Sequence, residues 1–142
     1  MHTILLVGAD ALLLHTRAAI LGNTGAEVVC SDAASALAHL ADREQADREF
    51  DLVVLCHSLP AAVCVSLAKV VRARWPKTRI LEVVALKEWG SAEARAAVDG
   101  ISSPEPARLI GTTAELLRRA ATMDAREIAV RGGTARAGPF AN

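Results

Sequence analysis

Residues 51–60 read Asp-Leu-Val-Val-Leu-Cys-His-Ser-Leu-Pro, and this segment decides the fold. Its first part, Asp51–Cys56, is a short apolar run of the kind found in strands covered on both faces. Thr3–Val7 is a second run of the same kind. An amphipathic stretch from about Val63 to Arg74 follows the first run and predicts a helix. The chain therefore alternates buried strands with helices.

The same alternation continues in both directions from this segment. Asp10 is placed to cap the first helix, because an aspartate side chain accepts hydrogen bonds from the free N–H groups of a first turn. Five strand–helix units with right-handed crossovers predict one doubly wound parallel sheet with helices on both faces. The remaining strands are predicted at Glu27–Cys30, Arg79–Val84 and Gly100–Ser102, and the remaining helices at Ala11–Leu21, Ala33–Ala41 and Ser91–Val98, and from Pro106 onward.

The length of 142 residues fits one domain with a short addition. We place the domain at residues 1–124 and a C-terminal helix extension with a flexible tail at residues 125–142. The tail is predicted from its glycines and arginines and its lack of apolar periodicity.

Composition excludes several classes of partner. The chain has 16 basic and 16 acidic residues and a net charge of zero, which argues against binding to nucleic acid or an anionic membrane. No apolar run approaches the length of a membrane span, and the N-terminus does not read as a secretion signal. The three cysteines form no CxxC pair, so we expect reduced thiols in a cytoplasmic protein.

Four segments resemble the receiver domain family of bacterial response regulators, the family of the chemotaxis regulator. The resemblance implies a flavodoxin-like (βα)5 fold with strand order 2-1-3-4-5, and a role in two-component or phosphorelay signalling. The segments are Ile4-Leu5-Leu6-Val7, Asp51-Leu52-Val53-Val54-Leu55, Leu59-Pro60, and Val71-Arg72 with Pro76.

The chain departs from the family at every chemical position. Receivers carry two acids after the first strand, an aspartate that accepts the phosphoryl group, a hydroxyl residue after the fourth strand and a lysine before a proline. Here the corresponding residues are, in that order, Gly8 and Ala9, Cys56, Val84 and Ser103.

These departures predict that the phosphorylation chemistry is lost. Mg²⁺ needs hard oxygen ligands, and neither a glycine, an alanine nor a thiol supplies them. We therefore expect no cofactor, no metal and no enzymatic activity. The predicted function is that of a stand-alone pseudo-receiver, which binds a signalling protein without phosphorylation. Trp89, after the fourth strand, is a candidate partner contact, and family habit adds a homodimer through the fourth and fifth helices.

Two alternatives stay open from the sequence. Cys56 could serve as a thiol redox sensor, with Cys64 near enough in the chain to form a disulfide under oxidising stress. Alternatively, a phosphorelay role could survive through a non-standard acceptor such as Ser58. Cys56, His57 and Cys64 lack the fourth ligand and the spacing of a zinc site.

Overall fold

The computed structural model describes residues 1–42, 49–84 and 97–119. These residues form a five-stranded sheet in the order β2-β1-β3-β4-β5, with every neighbouring pair parallel. The predicted fold class and strand order are confirmed. The strands are β1 (Thr3–Val7), β2 (Glu27–Ser31), β3 (Leu52–Leu55), β4 (Arg79–Val83) and β5 (Gly100–Ser102).

Three helices are described between the strands, and a further helix follows β5. Helix α1 spans Ala11–Leu21, α2 spans Ala33–Ala41 and α3 spans Ala61–Arg74. The C-terminal helix is described over residues 106–119. A short 3-10 turn, Gly22–Thr24, follows α1 and ends at Gly25, whose φ of 83° is left-handed and costs glycine little.

The sheet separates two apolar cores. Leu5, Val7, Val53 and Leu55 point to the side covered by α2 and α3. Alternate residues of the same strands point to the other side, where Leu21 of α1 and Leu109 of the C-terminal helix cover them. Period-two alternation between two covered faces explains why these strands read as uninterrupted apolar runs.

The predicted element bounds need small corrections. Asp51, Cys56 and Val84 were placed inside strands but lie just outside them, and α3 begins at Ala61, directly after Pro60. Proline supplies a φ that suits a helix start and has no N–H to leave unpaired. The helix predicted to continue through Val98 does not include residues 97 and 98, which form a turn and a bend. The rest of that helix and the tail after residue 119 lie outside the described residues.

Candidate functional site

The carboxyl ends of the parallel strands bring the predicted pocket residues to one edge of the sheet. The Gly8 N–H donates to the Ser31 carbonyl at 3.1 Å, and the Cys56 N–H donates to the Val7 carbonyl at 2.9 Å. Both residues therefore extend the hydrogen-bond ladder by one step beyond their strands. In open α/β sheets this edge is where ligands bind.

Gly8 and Cys56 lie in direct contact, and Leu14 of α1 fills the space beside them. A Cβ atom at Gly8 would lie 3.0 Å from Leu14 Cδ2 and 3.2 Å from Cys56 Cβ. Both distances are shorter than ordinary van der Waals contact. The position that carries an acid in receivers is therefore narrowed by apolar atoms, and a side chain there would require Leu14 to shift.

Arg17 of α1 is the residue of this site that the sequence reasoning missed. Its side chain is only 4% exposed, and its Nη2 lies 2.9 Å from His57 Nδ1. Because a guanidinium only donates, His57 Nδ1 accepts this bond and the imidazole ring is neutral. The Nη1 atom is buried without a hydrogen-bond partner. The site thus holds a positive charge where receivers hold acids and a cation.

Helical spacing contained a signal for Arg17. It follows Leu14 by three residues and precedes Leu21 by four, so all three lie on the face of α1 that packs against the sheet. Arg17 is also the only Lys or Arg in α1. A charged residue on the buried stripe of a helix is rarely fully buried unless it is paired.

Cys56 does not have the environment of a reactive thiol. Its side chain is 1% exposed, and burial raises the pKa of the thiol, an effect that the neighbouring Arg17 guanidinium only partly opposes. A protonated, shielded thiol is a poor nucleophile. These observations weigh against the redox-sensor alternative and favour a small buried residue that fills space.

Cys64 is also a free, buried thiol near the start of α3. Burial raises its pKa to about 12, with smaller contributions from Glu82 and from Cys56. Glu82 is itself a buried carboxyl in the middle of β4, and burial raises its pKa. Neither thiol of the predicted redox pair is therefore ionised near neutral pH.

The rim of the site is formed by the loops after β1 and β3. The Ala9 N–H donates to the Ser58 hydroxyl oxygen at 3.0 Å, which joins the two loops. Asp10 is the nearest carboxylate in sequence, and it accepts from the N–H groups of Leu12 and Leu13 at 3.0 and 3.2 Å. It therefore caps α1, as predicted.

Val84 and Ser103 belong to a separate cavity. The Val84 N–H donates to the Ser102 carbonyl at 2.9 Å, which continues the ladder between β4 and β5. Both residues line a cavity of about 560 Å³ between β5 and the C-terminal helix, and Gly8 and Cys56 do not line it. The structure thus groups Gly8 with Cys56 and Val84 with Ser103. Trp89 lies outside the described residues.

The residues present do not fit the magnesium ion that receivers hold. Gly8 and Ala9 offer no side-chain ligand, Cys56 offers sulfur, and the Arg17 guanidinium would repel a divalent cation. Across the described ranges, no cluster of three or more His, Cys, Asp or Glu side chains could hold a metal ion. None of the helices in these ranges is long and apolar enough to span a membrane.

Among known proteins, only solved structures match this chain. No protein-family model and no curated protein matches the sequence. NtrX from Brucella abortus in complex with ADP matches 95% of this chain with a TM-score of 0.74 and 21% identity, and this chain spans 30% of the NtrX chain.

Two single-domain structures match along nearly their whole length. A CheY-like response regulator receiver domain protein from Methanospirillum hungatei matches 87% of this chain and 98% of its own, with a TM-score of 0.66 and 19% identity. The response regulator TrrA from Thermotoga maritima, in complex with Mg²⁺ and BeF, matches 82% and 99%, with a TM-score of 0.68 and 20% identity. The strand order, the site at the carboxyl edge and these matches together show that the chain has the fold of the response regulator receiver (CheY-like) domains.

Proposed function

We propose that this chain is a receiver-fold signalling module that acts through protein contacts and accepts no phosphoryl group. The observation that carries the proposal is the content of the pocket: Leu14 fills the space beside Gly8, and the Arg17 guanidinium is buried next to Cys56. A pocket lined by the apolar atoms of Leu14 and by the Arg17 guanidinium offers no ligand for the cation that neutralises a phosphoryl group during transfer. Loss of such electrostatic stabilisation typically costs several kcal/mol of barrier for each group removed.

The expected partner is a signalling protein of the kind that receiver domains bind. TrrA, which shares this fold, was also crystallised in complex with the histidine kinase ThkA. A receiver surface can keep its shape without its chemistry, because the strands and helices are stabilised by their cores and not by the pocket. The proposed contacts therefore form constitutively, and no phosphate-driven population shift is required.

Intact-mass spectrometry after incubation with acetyl phosphate and Mg²⁺ tests the chemical half of the proposal. We expect no species heavier by one phosphoryl group, while an ordinary receiver run in parallel is modified. Ser58→Ala is the matched variant for the remaining acceptor hypothesis. If the wild type is phosphorylated and Ser58→Ala is not, Ser58 is the acceptor, and a phosphorelay role would replace our proposal.

Binding measurements test the other half. We expect the affinity for a histidine kinase dimerisation domain or another receiver partner to be the same with and without Mg²⁺ and phosphodonor. An affinity that changes tenfold or more on addition of phosphodonor would contradict contact-only signalling.

A further inference from the structure

The unbalanced charge of Arg17 is the starting observation. The guanidinium is 4% exposed, and within the part of the chain that the structure describes it forms no ion pair with a carboxylate. Its hydrogen-bonded neighbours carry no negative charge: they are the ring of His57 and the Cys56 thiol, which burial keeps protonated. A buried charge is costly unless an opposite charge and hydrogen bonds compensate it.

The unpartnered Nη1 of Arg17 and the planar shape of its guanidinium indicate the chemistry of the ligand. Nη1 is buried without a partner at the carboxyl edge of the sheet, beside Cys56 of the β3 end. A guanidinium presents its N–H groups as a planar fork, which matches the two oxygens of a carboxylate or phosphate better than it matches a spherical ion. His57, which contacts the guanidinium, and the adjacent Ser58 are both half-buried, and the Ser58 hydroxyl can still donate while it accepts from Ala9.

We propose that Arg17 is the receptor of a small oxyanion, which binds non-covalently at the edge of the sheet when the His57 side chain turns outward. The proposal deepens the proposed function and rests on it in one respect, namely that this pocket holds neither a metal ion nor a covalent phosphoryl group. A bound oxyanion would lie beside the loops after β1 and β3, which the Ala9–Ser58 bond joins.

Thermal unfolding in sodium phosphate and in sodium acetate, each at constant ionic strength and without Mg²⁺, tests this proposal. A ligand that binds only the folded state raises Tm, by roughly 10 °C when its concentration is about a hundred times Kd. We expect this rise in the wild type, a smaller one in Arg17→Lys, which keeps the charge without the fork, and none in Arg17→Met. Arg108→Met is the matched control, because the Arg108 side chain is 75% exposed on the C-terminal helix, and it should respond like the wild type.

The two salts distinguish the source of the oxyanion. A larger rise in phosphate assigns the site to a phosphate group, and a larger rise in acetate assigns it to a carboxylate. An equal rise in wild type and Arg17→Met, or no rise in either salt, would overturn the proposal.

A direct measurement keeps the test valid even if Arg17→Met unfolds. The Arg17 Nε–H signal of the wild type should shift saturably in ¹H–¹⁵N spectra as phosphate or acetate is added, and an unmoved signal would also overturn the proposal. Neither readout depends on phosphodonor, so the phosphorylation test and this one can fail separately.

Discussion

At the scale of single residues, two side chains of α1 define the edge of the sheet beside Gly8 and Cys56. Leu14 occupies the space beside Gly8, and Arg17 brings a positive charge to the edge where receivers gather acids. Both residues come from α1 and face the sheet, one helical turn apart.

Gly8→Ala tests the close packing of the pocket. Gly8 has no left-handed φ, so the cost of a methyl group arises from its contacts with Leu14 and Cys56. We expect the free energy of unfolding to fall by about 1–3 kcal/mol, the usual cost of overpacking. In a Leu14→Ala background the same change should cost less, because the contacts with the Leu14 side chain are gone and only the Cys56 contact remains. Equal costs in the two backgrounds, measured by urea denaturation, would show that Leu14 does not close the pocket.

Glu82 gives a prediction for pH dependence. Burial raises the pKa of this carboxyl, so the folded state binds its proton more tightly than the unfolded state does. The protonated form therefore favours folding, and the free energy of unfolding should fall as the pH rises above the usual Glu pKa of about 4.3. Glu82→Gln should flatten this slope and stabilise the protein by about 1 kcal/mol at pH 8, the scale of a poorly compensated buried polar group.

Urea denaturation between pH 4.5 and 8 measures this effect for wild type and Glu82→Gln. Glu105→Gln is the control, because the Glu105 side chain is 55% exposed, and it should leave the slope unchanged. A wild-type slope that Glu82→Gln preserves would contradict the assignment.

Residue types alone led to the prediction that receiver chemistry is absent from the pocket, but they did not indicate that Arg17 lies there. Gly8, Ala9 and Cys56 are visible as departures because their identity settles their chemistry. The role of Arg17 depends on the depth at which α1 packs, which a single helix pattern does not specify. The grouping of Val84 with Ser103 likewise depends on the cavity beside the C-terminal helix.

At the scale of elements, local chemistry set most boundaries. Asp10 caps α1 as its position before an apolar periodic segment predicted, Asp32 caps α2, and both helices have the predicted bounds. The ends of β3 and β4 were misplaced by one residue because hydrophobicity continues past the last ladder pair into Cys56 and Val84. Burial at these positions comes from packing at the strand ends.

Asp10→Ala tests whether Asp10 caps α1 or instead binds a metal ion in the pocket. Loss of the bonds to Leu12 and Leu13 should lower the free energy of unfolding by about 1 kcal/mol. Asp10→Asn keeps an acceptor oxygen and should lose only a small part of this stability. If Asp10 served a metal instead, both variants would abolish a Mg²⁺-dependent rise in Tm, whereas we expect no such rise in the wild type.

At the scale of the whole molecule, the fold does not depend on the chemistry that we propose is absent. Two apolar cores on the faces of one parallel sheet hold the receiver architecture, and neither core needs the pocket residues to be acidic. Alternating apolar runs were sufficient to predict this architecture because both faces of the sheet are covered. The partner could not be predicted, because recognition depends on the shape and charge of a surface that a one-dimensional pattern does not define.

The central claim is that this receiver fold cannot assemble a phosphorylated state, and titration of the wild type with Mg²⁺ and beryllofluoride tests it most directly. ¹H–¹⁵N spectra report on Gly8, Ala9 and Cys56 at the edge of the sheet. We predict that their signals stay in place when both reagents are present at about 10 mM. This concentration is at least tenfold above the dissociation constants of weak Ca²⁺ sites, which are about 10⁻⁴–10⁻³ M. Saturable shifts at these residues that require both reagents would contradict the account.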